Sequence, residues 1–239
     1  MARRRVTLSQ ILLNSDAPQQ AKVFLNRRGN IVPFYASSLP HKALRGHVDL
    51  FLSQKTADSF VVAPNAPEVL KDALRQSSVT FSFGNTEVGK SLSSLGAYNI
   101  AVGGQLAVGN ERYCDAILLE ALRKERCRFV HTKQGMARCS AVVIGGKAVI
   151  TSDGGIYKAL ANQGVETLLV SAKEIVLPGY ANGCFGGCCG VDGNTIFFMG
   201  SLQYHPQGKL IREFLHVHNM AVVELYGGPL TDVGSFFFL

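Results

Sequence analysis

The stretch AVVIGGKAVITSDGGIYKALANQGVETLLVSAKEIVLPG, residues 141–179, decides the fold. Two short apolar runs flank a Gly-Gly turn. Ser152 or Asp153 then caps an amphipathic segment, Gly164 stops it, and a third apolar run follows. The order is strand, turn, strand, helix, strand. It recurs in residues 49–89, 99–135 and 190–228, with first strands beginning near Leu50, Ile100, Val142 and Gly190, roughly 40–50 residues apart. In the copy at 49–89, Asn65 is the expected N-cap and Pro67 sits in the first turn. Val69, Leu70, Ala73 and Leu74 form one apolar face. Asn110 takes the cap position in the next copy, and Asn219 ends the helix of the last. Each unit covers one sheet face with its helix, so the other face needs neighbours.

The two chain ends do not repeat the pattern by themselves. Residues 6–38 read as strands without a clear helix, and the chain finishes on SFFFL, a strand with nothing after it. Together the ends predict an incomplete fifth unit that closes a ring and hides the last strand's aggregation-prone edge.

Bulk properties narrow the functional classes. With 47% hydrophobic residues in a chain of 239, a sizeable core is available, and one domain spanning 1–239 is expected. The basic start, MARRRVTLSQILLNSD, lacks a sustained apolar region, so no signal peptide is expected. The six cysteines at 114, 127, 139, 184, 188 and 189 follow no disulfide framework, which points to free thiols in a reducing cytoplasm. No apolar run is long enough to span a membrane. The net charge of +7 comes from scattered residues apart from Arg3–Arg5, Arg27–Arg28 and the stretch at 123–128. Without basic–aromatic interleaving, it does not point to nucleic acid; an anionic small-molecule partner, or none, explains it equally well.

The repeats, together with GHVDLFL (46–52), KQGMARCS (133–140), VITSDGGI (149–156), LPGY (177–180), GVDG (190–193) and GGPLTDVGSFFFL (227–239), resemble the penteins. This is the superfamily of guanidino-group-modifying enzymes, and the motifs resemble a bacterial branch of it. The resemblance implies an α/β fold, a five-bladed αβ propeller with pseudo-fivefold repeats. It also implies that the loops entering each first strand surround one mouth of a central channel. Those loops hold His47 and Asp49, Tyr98 and Asn99, Cys139 and Ser140, Cys188 and Cys189, and Thr231 and Asp232. Counting back from the first strands puts His47, Ala97 and Cys139 at one repeat position.

The implied chemistry is attack by a Cys139 thiolate on a guanidinium or amidine carbon, with His47 shuttling the proton. Asp49 and Asp232 would clamp the substrate's cation, and Asn99, Arg138 and Thr231 would line the same substrate pocket. No cofactor or metal is implied. Pentein enzymes carry their nucleophilic cysteine in the closing loop of the last blade, whereas GGPLTDVGS has Thr231 and Asp232 there. That departure leaves a second class open, a non-catalytic binding or scaffold protein; a ribosome anti-association factor is a precedent on this fold.

Each candidate also has a plainer role. Cys139 is either the nucleophile or a small buried hydrophobe. His47 and Asp49 can make strand-entry hydrogen bonds, and Asp232 can shape a turn. The run CFGGCC (184–189) lacks a CxxC pair or a nearby histidine, so its glycines are expected to shape a turn rather than a metal site. His205 is expected to face solvent at a helix start.

Overall fold

Short, strongly apolar strands separated by tight turns can bury themselves only by stacking, and the computed structural model, which describes residues 9–239, does so five times over. Along the chain, β1 (Gln10–Asn14), α1 (Gln19–Leu25) and β2 (Asn30–Phe34) come first. Then follow β3 (Leu52–Thr56), β4 (Ser59–Val62), α2 (Glu68–Gln76), β5 (Thr80–Phe83) and the short α3 (Leu92–Leu95). Next are β6 (Ala101–Gly103), β7 (Leu106–Gly109), α4 (Ala116–Lys124), β8 (Arg128–His131) and α5 (Ala137–Ser140). They are succeeded by β9 (Ala141–Ile144), β10 (Ala148–Thr151), α6 (Gly154–Ala161) and β11 (Glu166–Leu169). The last are β12 (Cys189–Asp192), β13 (Thr195–Phe198), α7 (Gly208–Val217), β14 (Ala221–Glu224) and β15 (Phe237–Phe238). The basic run Arg3–Arg5 lies outside the described residues.

The strands form five three-stranded sheets, β3-β4-β5, β6-β7-β8, β9-β10-β11, β12-β13-β14 and β15-β1-β2. In each, the first pair is antiparallel and the second, bridged by the helix, is parallel. The fifth obeys the same rule with its first strand taken from the C-terminus: Ile11 faces Phe238 and Leu12 faces Phe237. The two ends therefore build one sheet, as the sequence pattern anticipates. Among the described residues, no backbone ladder joins one sheet to the next.

Burial follows position within each sheet. The middle strands β4, β7 and β10 are buried at every residue, which explains runs such as AVIT and SFVV that are apolar without strict alternation. The third strands β5, β8, β11 and β14 are mostly exposed or half-buried. The first strands lie inside, where all five sheets contribute lining to one cavity.

Three expectations are corrected. The N-terminal segment does contain a helix, α1; only Ala21 and Leu25 are buried in it, too few apolar positions for its period to show. Asn65 does not cap α2, which begins at Glu68 after Pro67; its side-chain amide instead bonds both backbone groups of Val88, tying down the next connection. Asn110 does not cap α4 either; Asp115 does, accepting from the Ile117 and Leu118 N–H groups. Asp153 caps α6 as expected, and Gly164 and Asn219 both take positive φ after their helices.

Asp115 also accepts from the backbone N–H groups of Asn85 and Thr86. Burial by itself would raise this carboxyl, but the bonds from Thr86, Asn85 and Leu118 outweigh it and hold it below the ordinary value. A carboxylate depressed in the fold contributes stability above its unfolded pKa, and loses it as pH falls through the folded value. Asp115→Ala strips a helix cap and a loop clamp together, so it should cost about 2–4 kcal/mol in urea unfolding at pH 7. The deficit should shrink below about pH 4; an unchanged unfolding midpoint at pH 7 would contradict this account.

Candidate active site

Every first strand enters the interior from a loop or short turn, so residues far apart in sequence meet at one end. A 3-10 turn, Val48–Leu50, places His47 and Asp49 ahead of β3. Asn99 precedes β6, and α5 presents Cys139 just before β9. Asp232 and Ser235 arrive on the chain leading to β15. The loop before β12 contributes the Gly186 carbonyl, which Ser235 Oγ approaches at 3.2 Å.

Cys139 Sγ is the centre of the cluster. It donates to Asp49 Oδ2 at 3.0 Å, receives a hydrogen bond from Asn99 Nδ2 at 3.4 Å, and lies 3.7 Å from His47 Nδ1. Asn99 Oδ1 also accepts from the Cys139 N–H, which fixes the thiol's position. On the other side of the imidazole, His47 Nε2 is 3.9 Å from Asp232 Oδ1. Asp232 is itself held by the N–H groups of Cys184 and Gly234. The adjacency of His47 and Cys139 matches their shared repeat position.

Close packing enforces this arrangement. Gly234, at φ +73°, lies against the His47 ring, and Gly187 lies against the Asp232 carboxylate; a Cβ on either would overlap those side chains. Ser235, at φ +59°, is a non-glycine residue in the left-handed region. In that conformation its hydroxyl donates to Asp49 Oδ2 at 2.9 Å. Sequence reasoning missed Ser235; the small-residue pair Gly234-Ser235 directly after Asp232 is the signal that could have found it.

The expected residues divide. His47, Asp49, Asn99, Cys139 and Asp232 come together. Arg138 does not join them: its guanidinium turns away from its neighbour's thiol, donates to the carbonyls of Gly186 and Cys189 at 2.9 Å each, and lines the central cavity. Successive residues of a short helix cannot face the same way. Thr231 stands aside too, its hydroxyl 2.7 Å from the Tyr226 hydroxyl. Cys188 and Cys189 donate to the carbonyls of Cys184 and Phe185 and belong to the core. His205 is 5% exposed, not solvent-facing, and bonds the Ser171 carbonyl and the Gln207 N–H.

The cluster is closed to solvent, with His47 1%, Asp49 0%, Cys139 2% and Asp232 3% exposed. Burial pushes the Cys139 thiol well above its ordinary value, and the charges of Asp49 and Asp232 push it further. Burial likewise raises Asp49, against the opposing pull of His47. Asp49 Oδ1 and His47 Nε2 have no hydrogen-bond partner. As for metals, among the described residues the donor set close enough to hold an ion is not in the run 184–189. It is His47, Asp49 and Cys139, whose ligand atoms lie within 4.8 Å of one another, a suitable N/O/S set for zinc.

Two measurements check these energetics. Because folding raises the Asp49 pKa, its protonated form is favoured; its contribution is favourable at acid pH and is lost as pH rises through the folded value. Asp49→Asn should therefore stabilise the protein at pH 7 by about 1–2 kcal/mol, raising Tm by roughly 2–6 °C. A lower Tm would identify Asp49 as a structural anchor instead. Among the thiols, Cys139 should be silent to iodoacetamide at pH 7–8 in the native protein, with peptide mass spectrometry as the readout. Rapid labelling there would refute the raised pKa.

The fold places the chain among known proteins. The model for the family of unknown function DUF6873 matches residues 12–237, and the chain belongs to that family. Comparison with curated proteins finds no match. Among solved structures, dimethylarginine dimethylaminohydrolase from Pseudomonas aeruginosa, a Cys-to-Ser variant complexed with citrulline, superposes with TM-score 0.55 at 11% identity, covering 91% of this chain and 92% of that chain. An adduct of dimethylarginine dimethylaminohydrolase with 4-chloro-2-hydroxymethylpyridine gives TM-score 0.57 at 12% identity, covering 97% and 100%. The S-methyl-L-thiocitrulline adduct of a variant of such an enzyme gives 0.54 at 10% identity, again covering 97% and 100%. The fold is that of the pentein superfamily.

Proposed function

We propose that this chain, as one domain of five blades around a central axis, is a guanidino- or amidine-modifying enzyme acting on a small cationic substrate. The observation that carries the reading is the contact of Cys139 Sγ with His47 Nδ1 and the buried Asp49 carboxylate, with the buried Asp232 carboxylate on the far side of the same imidazole. Its similarity to enzymes whose structures hold citrulline or thiocitrulline groups supports the same substrate class. Six free cysteines support a reducing, cytoplasmic setting, and no helix among the described residues is long and apolar enough to cross a membrane.

The electrostatics suggest how the thiol is activated. Asp49 and Asp232 disfavour a thiolate while nothing offsets their charge. A guanidinium held between them cancels that field, so the cation itself lowers the thiol's pKa and His47 takes the proton. The thiolate then attacks the guanidinium carbon. As the C–N bond breaks, His47 returns the proton to the departing amine, leaving an amidino-thioether on Cys139. Water, deprotonated by His47, or an acceptor amine attacks that carbon; the C–S bond breaks and the sulfur leaves as thiolate. Entry requires the covering segments to shift. One of them, residues 171–184, is held to the closing loop by bonds from the Val176 N–H to Leu230 and from the Asp232 N–H to Val176.

The closed site and the protonated thiol favour a second reading, a non-catalytic binding protein. A cationic electrophile separates the two. 2-Chloroacetamidine at pH 7.5 should alkylate Cys139 at least about tenfold faster than neutral iodoacetamide does, and Asp49→Asn should remove the preference. Turnover, followed as amine release from a guanidino panel, should fall on the order of a thousandfold or more in Cys139→Ser and be insensitive to chelator. Equal, slow reaction with both electrophiles and no turnover would establish the binding reading.

A further inference from the structure

The central cavity lies outside the Cys139 cluster and has no part in the reading above. It measures about 410 Å³, within the range of small-molecule sites, and its walls come from all five sheets. Val102, Val143 and Phe237 make much of it apolar. Glycines at the hairpin tips, Gly104, Gly146 and Gly193, keep side chains out of its mouth. Such an opening is unusual for an interior of this size. A protein of this length can fill an apolar void with side chains at little cost, and a void left open forgoes their contacts.

Its polar groups are fewer and one-sided. Arg138 and Lys55 both line it, and neither has a carboxylate within ion-pair distance among the described residues. Arg138 is half-buried and stacks over Phe237 with its guanidinium carbon 5.8 Å from the ring centroid. The one carboxylate on the wall, Asp192, is exposed to solvent. Beside the main cavity, a pocket of about 10 Å³ shares Gln54, Val102, Arg138 and Phe237 with it and is lined also by Ser53. Ser53 is 2% exposed, and its hydroxyl has no hydrogen-bond partner. A buried donor without a partner costs free energy, and one beside a guanidinium that bonds main-chain carbonyls but no carboxylate is a ready receptor for an anionic oxygen.

We propose that this cavity is a binding site for a small amphipathic carboxylate, its head on Arg138, Ser53 and Lys55 and its apolar body against Val102, Val143 and Phe237. Charge selects the head, because two cations outnumber the single solvated carboxylate. Shape selects the body, since the aromatic and branched walls offer dispersion contacts but few hydrogen bonds. A phosphate or other fully polar anion would leave those walls uncovered.

Isothermal titration of the full chain with sodium octanoate, 1-octanol and octylamine tests the assignment. Octanoate should bind saturably at one site; octanol should bind at least about tenfold more weakly, and the amine not at all. Ser53→Ala, which removes an unpartnered hydroxyl and should fold normally, and the half-exposed Lys55→Ala should each weaken octanoate several-fold. Ala57→Trp, at the exposed rim of the cavity, should block it. Three results would each overturn the proposal: no octanoate binding, equal affinity for octanoate and octanol, or octanoate affinity unchanged in both Ser53→Ala and Lys55→Ala.

Discussion

The pairing of β15 with β1 is the contact on which the site depends. Two residues of the C-terminus, Phe237 and Phe238, lie against Leu12 and Ile11 of a strand more than two hundred positions away. That ladder completes the fifth sheet, and the segment feeding it carries Asp232, Gly234 and Ser235 past His47 and Asp49. A non-local pairing of this kind bears a large loop-closure cost in the unfolded chain, which burial of the phenylalanines offsets. Phe237 reaches the core built on the first two units, residues 49–89 and 99–135, while Phe236 packs with Phe197 and Met199 of the fourth, residues 190–228. The ends thus tie the first and last units together through packing as well as through hydrogen bonds.

What converges there is electrostatically unfavourable by itself. Two carboxylates and a thiol surround one imidazole in a space closed to water, and Asp49 Oδ1 finds no donor. A fold selected only for stability would replace such groups with apolar ones, because buried charge without full pairing is costly. Retained polar strain and residues such as Ser235 in the left-handed region cluster at functional sites, and the proposed cationic substrate would relieve the strain here. On the two proposals, the carboxylates hold a cation, and Arg138 and Lys55, neither of them in an ion pair among the described residues, hold an anion in the neighbouring cavity. Arg138 and Cys139 are consecutive on α5, so one four-residue helix supplies a group to each.

The repeat was legible in the sequence because each unit carries its own punctuation. Gly145-Gly146 marks a hairpin, Asp153 a helix start, and Gly164 and Asn219 helix stops, all from local backbone chemistry. Where punctuation was ambiguous, tertiary contacts chose. Asn65 and Asn110 are good caps by type, yet Asn65 bonds Val88 from the following connection, and Asp115 takes the cap of α4 because it also serves Asn85 and Thr86. Helix α1 escaped notice because two buried residues make too short a period to detect. Repeat position put His47 and Cys139 together, but could not place Arg138, whose direction depends on the helical turn it occupies.

By itself, then, the sequence determined the local units: short apolar strands, their turns, the helices that cover them, and the loop positions of His47, Asp49, Cys139 and Asp232. These follow from side-chain period and backbone preference, which act over a few residues. Only the tertiary structure decided which groups touch. The thiol's bond to Asp49, the pairing of His47 with both carboxylates, the part played by Ser235, and the cavity behind Arg138 all arise between residues from different sheets. Their distances are set by how five sheets pack around one interior, and no local pattern encodes that.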